Sequence, residues 1–348
     1  MDFQELNNDQ RREKVNSDQR FEALRRATER LRSYRGSMVW QKAKGEEYLA
    51  RSYYDSSGIR RQTSLGRRSP ETEKTKHTWE AGRAEARAGL QVMRETMARQ
   101  AAINRVLGLG RVPMIAARII RALGEAGLLG NGIRIVGTNA IYAYEAAAGV
   151  LVDPGITATQ DIDLLLDARQ ALRMVASEDV ADLTLIGLLK KVDASFERTA
   201  QEFRAVNRDG YLVDLIRPQR NPPWSEEMLR VGQDVDDLSS VAIEGLGWRE
   251  SAPHSEAIAI DERGGPLRIV TSDPRVFAAH KLWVSRQPGR EPVKRQRDAA
   301  QARAVGAIVA THLTHLPYER DALRMLPQEV FDAAAPLFVG SRAEPYEF

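Results

Sequence analysis

The chain of 348 residues has no cysteine, which excludes a disulfide framework, a thiolate nucleophile and any Cys-ligated zinc or iron–sulfur site. At 43% hydrophobic and 28% charged residues it has the composition of a folded globular protein with room for two or three cores. No stretch approaches the roughly 18 apolar residues of a membrane span and MDFQELNNDQRREK has no apolar signal core, so a cytoplasmic location is expected. The net charge of +3 is unevenly spread: residues 1–112 carry 24 Lys+Arg against 15 Asp+Glu (+9), and the remainder carries 27 against 33 (−6). A basic arm that grips a polyanion beside an acidic, metal-binding body fits this division, and so does a set of solvated arginine-rich helices.

Along residues 18–35, Phe21, Leu24 and Leu31 share one helical face, predicting an amphipathic helix that ends near Gly36. The segment from Tyr48 to Leu65 has aromatic and β-branched residues on either side of Asp55-Ser56-Ser57-Gly58 and reads as a β-hairpin. It interleaves Tyr48, Tyr53 and Tyr54 with Arg51, Arg60 and Arg61, as nucleic-acid binders do and as a stable hairpin also does. Ser69-Pro70-Glu71 supplies an N-cap, a first-turn proline and an early acid for a long helix to about Arg105, with Trp79, Ala86, Leu90, Met93 and Met97 on its packed side. After Gly108 and Gly110, Pro113 begins a helix that presents Ile115, Ile119, Ile120 and Leu123 to a core and ends at Gly127.

Residues 133–136 (IRIV) read as a short buried strand, and Gly137-Thr138-Asn139 turns it into the helix IYAYEAAAG. A second strand, DIDLLLD, covers residues 161–167, followed by a helical stretch around 183–191. Residues 203–206 and 211–216 flank Asn207-Arg208-Asp209-Gly210 as a second hairpin, and Pro218, Pro222 and Pro223 close that lobe. A third hairpin joins residues 257–260 to 267–270 about Gly264-Gly265. Asp273-Pro274 then opens a helix that runs to about Arg286, and after QPGREP a last set of helices begins near Val293. The expected division is a basic helical and hairpin region at 1–112, a catalytic lobe at 113–271 and a helical lobe at 272–348.

The chemistry is concentrated in DIDLLLD. In a strand, alternate side chains point to opposite faces, so Asp161 and Asp163 project together while Ile162, Leu164 and Leu166 enter the core. Two carboxylates held that close repel, and a divalent cation relieves the repulsion while binding triphosphate oxygens. Mg²⁺ or Mn²⁺ and an NTP are therefore the expected ligands. Asp214 in YLVDLIR, opposite in facing to Val213 and Leu215, is the candidate third carboxylate of a two-metal phosphoryl-transfer site. Gly137 permits close backbone approach, and the Thr138 and Asn139 amides at a helix N-terminus, with the threonine hydroxyl, are candidate phosphate ligands. A D-x-D in a surface strand also occurs without function.

These residues resemble the DNA polymerase β-like nucleotidyltransferase superfamily, whose pattern is hydrophobic-Gly-Gly/Ser followed by hydrophobic-Asp-hydrophobic-Asp/Glu. Over most of residues 45–300, the segments SLGRRSPETE, LGRVP, VGTNAIYAYEAAAGV, TQDIDLLLD and GYLVDLIRP are similar to a bacterial family of nucleotidyltransferase-fold proteins. The chain departs from the superfamily pattern in having Thr138 for the usual Gly or Ser and a longer gap before Asp161. The resemblance implies an α+β fold, with a mixed-sheet catalytic core, an N-terminal helical and hairpin region and a C-terminal helical lobe. It also implies metal-dependent transfer of an NMP from an NTP to a hydroxyl acceptor. The segment AAHKLWVSRQPGREPVKRQRDAAQ is similar to the Lys…Lys-Asp segment of AbiE-type toxin nucleotidyltransferases, which implies Lys281 on the nucleotide phosphates and Asp298 near the site. Read from the residues alone, Lys294 and Asp298 form an ordinary i,i+4 pair in a solvated basic segment. The basic N-terminal region makes RNA, tRNA first, the expected acceptor, with a protein side chain or a small molecule also open. The rival expectation is a non-catalytic member that kept the fold and binds RNA or protein in the manner of toxin–antitoxin systems.

Overall fold

The computed structural model describes all residues except 1, 44, 55–58, 168–183, 220–228, 233 and 340–348. It begins with β1 (Phe3–Glu5) and α1 (Asn8–Ser33), whose first turn is closed by a reciprocal Asn7–Gln10 capping box. Then come β2 (Ser37–Ala43), β3 (Glu46–Tyr54) and β4 (Arg60–Arg67), an antiparallel three-stranded sheet in that order. The predicted hairpin is β3–β4, its turn at 55–58 lies outside the described residues, and β2 adds a strand that the sequence reading did not anticipate. Arginines stack on rings of this same sheet: Arg67 over Tyr48 (5.8 Å), Arg68 over Trp40 (5.0 Å) and Arg35, from the turn after α1, over Tyr53 (5.4 Å). Arg60 donates from Nε to Ser52 Oγ at 2.8 Å.

The long helix α2 (Pro70–Val106) starts where expected, with Ser69 and Thr72 forming the capping box. It lies along α1 and buries Ala86, Leu90 and Met97. Near its end the packed face turns polar. Asn104 donates to Ser17 Oγ (2.7 Å) and to Gly264 O (2.9 Å), and Gln100 donates to Asn104 Oδ1 (2.9 Å). Buried amides must find partners, so this network fixes the helical hairpin against the body at one register.

The body follows: α3 (Met114–Glu125), β5 (Ile133–Val136), α4 (Ile141–Ala148), β6 (Val150–Val152), α5 (Pro154–Thr157), β7 (Asp161–Leu166), α6 (Leu185–Val192), β8 (Glu197–Arg198), β9 (Arg204–Val206), β10 (Leu212–Pro218), β11 (Val241–Ile243), α7 (Leu246–Ser251), β12 (His254–Ile260) and β13 (Pro266–Ser272). The helices α8 (Pro274–Ser285), α9 (Pro292–His312) and α10 (Gln328–Ala334) complete it. Its centre is a mixed six-stranded sheet in the order β5-β7-β10-β9-β8, with β11 also on β10. β7 is antiparallel to β5 and parallel to β10, while β9 and β11 share the far edge of β10. The fold is thus mixed α+β with N-terminal helices and strands and C-terminal helices, as expected. One face of the sheet, with Ile162, Leu164, Leu166, Val213 and Leu215, packs on α3 and α6 in the main core. The opposite face carries Val136, Leu165 and Ile216 against Leu246. β1 and β6 pair with each other outside this sheet, so the first residues of the chain are stitched to the body.

Candidate active site

Asp161 and Asp163 stand at the start of β7 on the face away from the main core, and Ile162, Leu164 and Leu166, which face that core, are fully buried. The period-two reading of DIDLLLD therefore holds. β10 runs parallel to β7 with Asp214 paired to Asp163, and β5 runs antiparallel with Val136 paired to Asp163. Asp163 is thereby flanked by an acid on one side and by the Val136–Gly137 peptide on the other. Its carboxyl is pushed up from 3.8 to about 6, first by burial, then by Asp161, and further by Asp214, while Lys281 and Arg249 pull it back. A carboxyl at the meeting point of three acids in low dielectric resists ionisation in this way.

Gly137 follows Val136 with φ +65°, in the left-handed region that favours glycine, and a Cβ there would overlap Asp163 Oδ2 and stand 3.0 Å from its Cγ. The glycine thus serves twice: it turns the strand into the 3₁₀ turn 137–140 that leads into α4, and it leaves Asp163 its space. Thr138 and Asn139 are buried and partnered. Gln301 of α9 donates from Nε2 to Thr138 Oγ1 (3.1 Å) and to Ile156 O (2.7 Å). Asn139 Nδ2 donates to Asp161 O at 2.8 Å, and the Tyr211 hydroxyl, whose proton burial and Asp161 hold firmly, donates to the same oxygen at 3.3 Å. Thr159 bonds Asp161 Oδ1. Asn139 is thus placed as a positioning residue for the Asp161 backbone, with its Oδ1 buried and unpartnered among the described residues.

Asp214 does not stand free. Arg204, its cross-strand partner in β9, grips both oxygens, Nε to Oδ1 at 2.7 Å and Nη2 to Oδ2 at 2.6 Å. Among the described residues no group of three or more His, Asp or Glu side chains is gathered as metal ligands. The donors do suit a hard divalent cation: Asp161 and Asp163 offer carboxylate oxygens on one face, and the charges of Asp161 and Asp214 add to the burial that raises Asp163. Asp161 and Asp163 would hold such an ion. Asp214 would join only on leaving Arg204.

Lys281 lies on α8 behind this cluster, close enough to Asp163 for each to shift the other's titration, but its Nζ donates to Asp298 Oδ1 at 2.7 Å. Arg290 holds the other oxygen of Asp298 from Nε at 2.8 Å, and Lys294 pairs with Glu291 instead. Burial draws the Lys281 ammonium down and Asp298 raises it again. Asp298 has no exposed surface. Replacing it by Ala strands two cations in or near the interior, and an unfolding free energy lower by roughly 3–5 kcal/mol is expected by urea titration. A loss under about 1 kcal/mol would show that water already solvates the pair.

Three basic or polar partners were not foreseen. Arg204 was within reach, because a hairpin turning at residues 207–210 with 206 opposite 212 sets 204 opposite 214. Arg249 of α7 is buried, donates from Nε to Ser272 Oγ at 3.0 Å, leaves Nη2 unpartnered among the described residues, and acts electrostatically on Asp163. Neither it nor Gln301 has a local signal, since each meets the site only through tertiary packing.

A sequence profile of a nucleotidyltransferase family matches residues 115–327. Searches of curated proteins and of solved structures gave no match. The matched stretch is more than half of the chain and contains the strands, the glycine turn and the aspartates just described, so the chain belongs to this nucleotidyltransferase family.

Proposed function

We propose that the protein moves an NMP from an NTP to a hydroxyl acceptor, with release of pyrophosphate, and that the acceptor is RNA, tRNA first. The observation that carries this is the crowding of Asp161, Asp163 and Asp214 beside the glycine-led turn, with Asp163 driven to about 6. A bound Mg²⁺ or Mn²⁺ would neutralise the triphosphate and lower the acceptor hydroxyl's pKa there. The chain's own part is to hold Asp161 and Asp163 in register through Asn139 and Tyr211, to seat the Asp163 carboxylate against Gly137, and to set the cations Lys281 and Arg249 behind the carboxylates. Asp214, once released by Arg204, would take the acceptor proton. The excess of cations in residues 1–112 supports a polyanionic acceptor.

One observation favours a non-catalytic binding member: Arg204 neutralises Asp214 with both oxygens engaged. Incubation with Mg²⁺ or Mn²⁺, each α-labelled NTP and total cellular RNA or protein separates the two readings. Label transfer that falls at least about 1,000-fold in Asp161→Ala and Asp163→Ala is expected for the enzyme, equivalent to roughly 4 kcal/mol of transition-state stabilisation. RNA binding without transfer from any of the nucleotides would establish the binding protein.

A further inference from the structure

At the end of the sheet where β7 and β10 begin, on the α3 side, is a cavity of about 560 Å³, within the range of ~300–1,000 Å³ that ligand sites occupy. Three arginines from three separate elements line it: Arg118 of α3, Arg208 of the β9–β10 turn and Arg263 of the β12–β13 turn. Among the described residues none of these guanidinium groups makes a hydrogen bond or an ion pair. Two acids, Asp193 and Asp209, share the wall, so its cations exceed its anions by one. Asp193 already accepts from Ser195 and from Asn207 Nδ2, with Arg208 acting on it only at a distance, and Asp209 is exposed at the turn. Arginines from three elements converging without partners on one concavity form a polyanion site rather than a structural ion-pair network.

The cavity borders the start of the strand that carries the aspartates. Gln160 and Tyr211 form its wall; Gln160 precedes Asp161, its carbonyl accepts from Leu212 N at 2.9 Å, and the Tyr211 hydroxyl donates to Asp161 O. The cavity thus reaches the Asp161 backbone from the α3 side of the sheet, while the Asp161 and Asp163 side chains lie on the opposite face. On the other side, Gly264 lies directly against Ala101 of α2 and accepts from Asn104, which brings Arg263 to the end of the basic helix. Exposed Arg94, Arg99 and Arg105 continue the positive charge along that helix. A single small phosphate ester would use the cavity alone; the continuity with α2 fits a chain of phosphates.

We infer that Arg118, Arg208 and Arg263 bind backbone phosphates of the RNA acceptor, where the strands that carry Asp161 and Asp214 begin. This rests on the transferase reading above and names where its acceptor lies. The test is fluorescence anisotropy of a labelled single-stranded 12-nucleotide RNA against salt concentration, for the parent protein and for the triple variant Arg118→Ala/Arg208→Ala/Arg263→Ala. ATP with Mg²⁺ is measured in parallel by calorimetry. Because the three side chains are exposed and unpartnered, the variant should keep the parent's circular dichroism and melting curve. RNA affinity should fall at least about tenfold, with the slope of log K against log salt reduced by about 2, as three single-strand phosphate contacts predict. ATP binding should be unchanged. Equal RNA affinity in variant and parent, with ATP still bound, overturns the cavity assignment and leaves the transferase reading in place. Ribose 5-phosphate that binds the parent but not the variant, with RNA affinity unmoved, also overturns it, in favour of a small phosphorylated acceptor. A parent protein that neither binds nor labels RNA removes the RNA acceptor itself.

Discussion

In metal-free buffer at pH 8, Asp163→Asn is expected to be more stable than the parent protein by about 1–3 kcal/mol while losing nucleotidyl transfer. A carboxyl displaced from 3.8 in the unfolded chain to about 6 in the folded one disfavours the folded state once it must ionise. The favourable contribution of the protonated acid is complete below pH 3.8 and is lost as pH rises through about 6. A displacement of that size costs up to about 3 kcal/mol, and the remaining water contact of the half-buried side chain lowers it. Asparagine keeps the shape and carries no charge, so the advantage should be largest at pH 8 and vanish at pH 4. Millimolar Mg²⁺ should narrow the gap by stabilising only the parent, through its preferential binding to the folded state. Thermal melts at three pH values with and without Mg²⁺ check this. A variant that is less stable than the parent at pH 8, or whose advantage does not depend on pH, would mean that burial and the neighbouring acids do not hold the Asp163 carboxyl above its ordinary value.

The elements that sequence made legible are those whose signals are local. DIDLLLD carries its own two-residue period, so the division of Asp161 and Asp163 from the buried Ile162 and Leu164 could be read without any knowledge of neighbours. Ser69-Pro70 and Asp273-Pro274 announce helix starts by capping chemistry, and both helices begin there. What escaped depends on distant partners. The three-residue strands β1 and β6 are too short for a period and exist because they pair with each other. β2 follows Gly36 with SMVWQKA, a weak alternation that becomes a strand through β3. α1 begins ten residues before the predicted apolar face, because its early turns dock on α2 through Ser17 and Glu13, bonded to Asn104 and Gln100, rather than by leucines. Within the site the same division holds. The acidic strand positions were visible, and the hairpin register that sets Arg204 opposite Asp214 was within reach, whereas the fate of Lys281 was not: expected on nucleotide phosphates, it is engaged by Asp298. Charge pairing between separate elements leaves no periodic trace in a single sequence.

Gly137→Ala tests the other half of the site. The substitution has two separable costs. An L-residue at φ +65° is strained by about 1–2 kcal/mol wherever it sits. The added methyl also collides with Asp163 Oδ2, and the flanking strands β5 and β10 leave the aspartate little freedom to retreat. A total loss of roughly 2–4 kcal/mol in unfolding free energy is expected, together with at least about a hundredfold loss of nucleotidyl transfer, since a shift on the order of 1 Å in a reacting carboxylate has that effect. The two costs part in a double-mutant cycle with Asp163→Ala. Removing the carboxylate removes the collision but not the backbone strain, so Gly137→Ala should cost only about 1–2 kcal/mol in that background, a coupling of about 1 kcal/mol or more. Strict additivity of the two substitutions in urea unfolding would show that Gly137 is needed for the turn alone, and that the space in front of Asp163 is not reserved by it.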